Sequence, residues 1–214
     1  MDARAVVEKM VQRYLGFESY SDTGGVTFTH PNFVTKARFW THYSAPSLFR
    51  FDFHLPHPHP PLSHVVTQHA VGFDGTKAFA IRQGFKGRVE TELCENTGLA
   101  IAGAAGISFG AALTIGRLLF TDTDTGVVPL LEHIDAQFDE DTLLDGVDCH
   151  SIAVRYPNHH SRYQYHIEKD SLLLRKLVSD HGTSSFEESR MSIRINEPIE
   201  DAVFTAALRD QAAY

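Results

Sequence analysis

Five histidines crowd one stretch of this chain, at His54, His57, His59, His64 and His69. A metal site needs two to four imidazoles or carboxylates converging on one point. His57 and His59, two apart, would share a face of any strand they sat on. Pro56, Pro58, Pro60 and Pro61 stiffen that stretch and remove backbone donors. A carboxylate a few residues on is missing, since Pro61, Leu62 and Ser63 follow. Two readings remain open: a metal-dependent enzyme built on His54–His69, and a surface loop that is rich in histidine.

A second pattern is Gly106-Ile107-Ser108-Phe109-Gly110, which spells G-x-S-x-G. In hydrolases that turn follows a buried strand and opens a helix. Here the preceding residues, AIAGAA, are not strand-like, although His133, Asp148 and His150 lie downstream. The acidic run Asp139-Glu140-Asp141 lacks the glycine and closing glutamate of a calcium loop and reads as a solvated turn. His133 and His150 fall within expected strands as hydrogen-bonded core residues, and His42 and His166 alternate outward. Cys94 and Cys149 fit either one disulfide or two thiols.

These groups need elements to hold them. Val6, Val7, Met10, Val11, Tyr14 and Leu15 form one stripe over residues 2–15, an amphipathic helix. The stretch LFRFDFHL, residues 48–55, alternates cleanly. Phe49, Phe51, Phe53 and Leu55 face one way, and Arg50, Asp52 and His54 the other. Asp74-Gly75 makes a hairpin turn. About six strands precede residue 96 and about five follow residue 120. Short turns between them require an antiparallel sheet, and so many strands must curl. The whole of 1–214 reads as a single domain. A net charge of −8 and no basic stripe exclude a nucleic-acid surface. The start, MDARAVVEKMVQRYLGF, is not a signal peptide.

Between Asn96 and Gly116 run 21 residues without a charge, five of them glycine. The segment is too apolar for a solvated loop and too poor in large side chains to build a core. Five glycines and acidic flanking residues make a poor membrane span. The pattern predicts two short helices, broken near Gly106–Gly110 and ending at Leu119 or Phe120. They should lie over the aromatic face of the sheet as a lid, about residues 96–120, or pack there as ordinary core helices.

Three segments then resemble one family. Ala45-Pro46-Ser47-Leu48-Phe49-Arg50-Phe51 is similar to the proline–phenylalanine strand of periplasmic lipoprotein carriers of the LolA/LolB type, with Ala45 where those proteins often carry a basic residue. Tyr163–Leu177 resembles a later hairpin of the same group, and Ile195–Phe204 its closing segment. The resemblance implies an α+β fold: a strongly curved antiparallel half-barrel of about eleven strands, with an N-terminal helix and a central helical lid. It further implies a non-catalytic carrier in the periplasm or cell envelope, holding a lipid acyl chain or lipoprotein lipid moiety without a cofactor, and a membrane-associated delivery partner. The expected wall is Phe49, Phe51 and Phe53, flanked by Phe28, Phe39 and Tyr43. Leu99, Ile107, Phe109 and Leu113 are the expected lid contacts. The alternatives are the metalloenzyme above and an envelope sensor or interaction module with a packed core.

Overall fold

The computed structural model describes residues 2–57, 60–62, 64–84, 86–120, 130, 134–156 and 161–208. Asp2 starts the first helix, α1 (Ala3–Leu15), by accepting the Ala5 amide at 2.7 Å. The helix buries Val6, Val7, Met10, Val11 and Tyr14, the stripe expected from their spacing. Six strands follow: β1 (Ser19–His30), β2 (Phe33–Ser44), β3 (Leu48–Pro56), β4 (Val66–Phe73), β5 (Ala78–Gln83) and β6 (Val89–Cys94). Next come the helices α2 (Thr97–Ile107) and α3 (Ala111–Leu119). The chain then returns to strands: β7 (Asp135–Phe138), β8 (Thr142–Leu144), β9 (Val147–Arg155), β10 (Arg162–Glu168), β11 (Leu174–Asp180) and β12 (Ser185–Ile195).

The strands form one antiparallel sheet in the order β6-β5-β4-β3-β2-β1-β12-β11-β10-β9-β7, with β8 paired to β9. Among the described residues the sheet has 12 strands, one more than the alternation suggested. Three residues of β8 are too few to show a period. The sheet curves without closing, so the fold is an α+β half-barrel, as expected. β1 pairs with both β2 and β12, which joins the two halves of the chain at mid-sheet.

All the described helices except the 3-10 turns lie on the concave side. α2 packs over β4, β5 and β6, and α1 touches α3 and β7. A Cβ on Gly116 would sit 3.0 Å from the Ile101 side chain, so a small residue there lets α2 and α3 approach closely. On the convex side, Arg50 and Asp52 point away from the phenylalanines, as the alternation requires, yet both are buried. Arg50 is paired with Asp52 at 2.7 Å and donates to the carbonyls of Thr205 and Ala207 at 2.6 and 2.8 Å. The C-terminal segment therefore covers the back of β3, with Phe204 buried in a 3-10 turn (Asp201–Phe204). His166, read as exposed, is also buried. Cys94 and Cys149 are free thiols.

Candidate functional site

The break between α2 and α3 sets the geometry of the concave side. Phe109 and Gly110 both have left-handed backbone, at φ 53° and 93°. Glycine adopts this conformation freely, but phenylalanine is held there at a cost of about 1–3 kcal/mol. The reversal turns Phe109 down onto the sheet, 5.1 Å from the ring of Phe28 and 5.6 Å from that of Phe186. Ser108 is buried, and its hydroxyl accepts the Ala112 amide at 3.2 Å. The serine of the G-x-S-x-G pattern thus fastens the start of α3. His133 of that constellation lies outside the described residues.

Beneath this break is a cavity of about 280 Å3. Its helical side is Gly106, Phe109, Leu113, Thr114 and Arg117, the 3.6-residue face of α3 and the turn before it. Its sheet side is Tyr163 and Tyr165 of β10, Leu177 and Ser179 of β11, and Phe186 and Glu188 of β12. Tyr156 and His181 close the margins. The Tyr156 and Tyr165 hydroxyls lie 3.3 Å apart. Burial pushes the Tyr165 phenol well above the ordinary tyrosine range, so it stays protonated and can donate.

Of the ten residues expected to bind a ligand, Phe109 and Leu113 line this cavity. Phe39, Phe49, Phe51 and Phe53 are 0–1% exposed and packed within the core. Phe120 sits over Tyr43 and Phe49 at 5.7 and 5.4 Å, and Phe109 reaches Phe53 at 6.3 Å. Phe28 stacks on Phe186 at 4.7 Å. Leu99 and Ile107 face outward, 51% and 36% exposed. The open volume therefore lies against β10–β12, in the half of the sheet whose tyrosines and serines hide its apolar face from a hydropathy reading.

Between the packed wall and the cavity runs a buried polar network that the alternation did not disclose. Arg190 of β12 pairs with Asp22 of β1 at 2.5 Å and with Glu188. Tyr20 donates to Asp22 at 2.6 Å. Arg190 lies over the Phe39 ring, 5.0 Å from its centroid. Gly24 makes that approach possible, because a Cβ there would fall 2.1 Å from the Phe39 ring. Burial raises the Glu188 carboxyl above its usual range against the opposing pull of Arg190. Tyr14 reaches from α1 into the same region, where it is hydrogen-bonded to Tyr20 and accepts the Leu174 amide at 3.2 Å. Burial pushes its phenol up to about 12.

The histidines do not converge. His54 stands opposite Gln68 and His69 opposite Phe53, so the alternation sends their rings to opposite faces of the sheet. Burial, with Arg82 and His54 adding to it, pushes His69 down to about 4. His59 lies outside the described residues. Among the described residues no group of three His, Cys, Asp or Glu side chains could hold a metal ion. A second, larger hollow of about 910 Å3 crosses the convex face past Trp40, His54, Val66 and Met191. It lies on the side of the sheet away from α2 and α3.

The curved antiparallel half-barrel with helices across its hollow is the fold that the LolA/LolB resemblance implied, and solved structures share that fold. LprF from Mycobacterium bovis matches with a TM-score of 0.52 at 11% identity, over 92% of this chain and 94% of that one. The lipoprotein LppX of Mycobacterium tuberculosis matches at 0.51 and 15% identity, over 92% and 97%. MucB matches at 0.51 and 10% identity over 96% of this chain, which spans only 62% of MucB. Identities this low establish a shared fold. No protein-family model matches the chain, and no curated protein does. No described helix is long and apolar enough to cross a membrane.

Proposed function

We propose that this protein is a non-catalytic carrier that holds a lipid acyl chain, or the lipid moiety of a lipoprotein, between the α2–α3 hairpin and β10–β12. The observation that carries the reading is the cavity of about 280 Å3 between two elements, one of which turns on a strained Phe109–Gly110 joint. Its volume is close to the lower bound of about 300 Å3 for small-ligand pockets. It fits a stretch of one chain, and a shift of the hairpin would admit more. Each methylene buried there contributes about 0.8 kcal/mol, so affinity should follow chain length. Burial raises the Tyr156 and Tyr165 phenols above the ordinary tyrosine range, which suits orienting a ligand better than proton transfer. The fold shared with the lipoprotein LppX supports a place in the cell envelope, with a membrane-associated partner to deliver or receive the cargo.

Native mass spectrometry of the protein purified without detergent tests this directly. The expected result is a lipid adduct of defined mass that organic extraction removes and added lipid restores. Lipid-free protein that also fails to take up a fluorescent fatty acid would overturn the carrier reading. That outcome would favour the sensor or interaction module, which the full packing of Phe39, Phe49, Phe51 and Phe53 already suits.

A further inference from the structure

Arg117 is out of keeping with an apolar cavity. It lies on the cavity face of α3, one turn beyond Leu113 and Thr114. Its Nε is buried and has no hydrogen-bond partner. Its guanidinium lies 6.0 Å from the centroid of the Tyr156 ring and hydrogen-bonds the Tyr156 hydroxyl. A cation in the last turn of a helix is favoured by the helix dipole, but a solvated one would serve equally. A buried N–H donor without a partner is costly, which a polar ligand group in the cavity would relieve. Arg117 is half-buried, whereas the fully buried arginines pair with carboxylates: Arg50 with Asp52, and Arg190 with Asp22 and Glu188. Glu188 borders the same cavity but is already engaged by Arg190.

Tyr156 and Tyr165 stand beside Arg117 and offer hydroxyl donors. Phe109, Leu113 and Phe186 supply apolar lining, with the His181 ring 5.1 Å from that of Phe186. We propose that the cavity selects an anionic amphiphile. Arg117 pairs with the carboxylate or phosphate headgroup, assisted by the Tyr156 and Tyr165 hydroxyls, and the chain runs toward Phe109. This rests on the carrier reading and adds the charge class of the cargo and the residue that reads it.

The test compares ligands of equal chain length that differ at the head. Oleate is set against oleyl alcohol, and lysophosphatidic acid against monoacylglycerol, each in competition with a neutral fluorescent lipid probe. The intact chain should bind the anion of at least one pair about tenfold to a hundredfold more tightly. The pair with the larger ratio identifies carboxylate or phosphate. Arg117→Gln should abolish the preference and leave the neutral member within about twofold, and Arg117→Lys should retain part of it. Equal binding of anionic and neutral members by the unmutated chain overturns this inference alone, as does an unchanged preference in Arg117→Gln. Failure of every lipid to bind overturns the carrier reading with it. The ligand comparison needs no variant, so poor folding of Arg117→Gln would not shield the inference.

Discussion

Replacing Arg190 with methionine should show what the buried polar network is for. The side chains of Arg190 and Asp22 are fully buried and that of Glu188 is 6% exposed, so the variant leaves two carboxylates inside the sheet without their cation. Removing one partner of a buried ion pair costs about 3–5 kcal/mol. For a chain of this size each kcal/mol lowers Tm by about 2–4 °C, so a fall of roughly 6–20 °C is expected. The deficit should depend on pH. Burial already raises the Glu188 carboxyl above its unfolded value, and Arg190 is the largest influence holding it down. Loss of Arg190 raises it further. A carboxyl raised on folding contributes stability below its unfolded pKa and loses it as pH rises through the folded value. The variant should therefore recover part of its deficit at about pH 5 relative to about pH 8. Differential scanning calorimetry at both pH values measures this. Replacing the set together, as Arg190→Met with Asp22→Leu, Glu188→Leu and Tyr20→Phe, should restore most of the loss. A Tm within about 2 °C of the parent, or a deficit that grows toward low pH, would refute the reasoning.

Two further substitutions probe the scaffold. Gly24→Ala puts a methyl 2.1 Å from the Phe39 ring and 2.4 Å from the Ser189 carbonyl oxygen. It should cost at least about 1–3 kcal/mol in denaturant unfolding, and Phe39→Leu in the same chain should recover only the ring's share; full additivity would show that the two sites are not in contact. Arg50→Met removes the donors that hold the Thr205 and Ala207 carbonyls. Limited proteolysis should then cut near residue 205 faster than in the parent, and an unchanged cleavage pattern would mean that Phe204 and Leu208 hold the segment without Arg50.

Which parts of this architecture could be read from the chain follows from the range of the interactions involved. α1, the hairpin at Asp74-Gly75 and the pair of helices broken near Gly106–Gly110 rest on local signals: a 3.6-residue stripe, a turn dipeptide and clustered glycines. The same holds for the two faces of β3, because alternation is a property of consecutive residues. The apolar face was legible, but whether it would be left open was not. Phe49 and Phe53 are covered by Phe120 and Phe109, residues about 56–71 positions away in sequence, and no local pattern specifies that contact.

Sequence alone therefore determined the kind of layer each segment makes: a curled sheet with one aromatic face, and a small-residue helical pair able to lie close upon it. Tertiary structure decided where that pair leaves space. It seals the phenylalanine half of the sheet and stands off the tyrosine half, where Tyr163, Tyr165 and Ser179 alternate with polar neighbours and give little hydropathy contrast. It also decided which charges go inside. Arg190 finds Asp22 across 168 residues because β12 is hydrogen-bonded to β1, and a charge can be buried only where its partner is delivered by such a pairing. Arg117 has no such carboxylate among the described residues, and that contrast appears only once the strands are assembled.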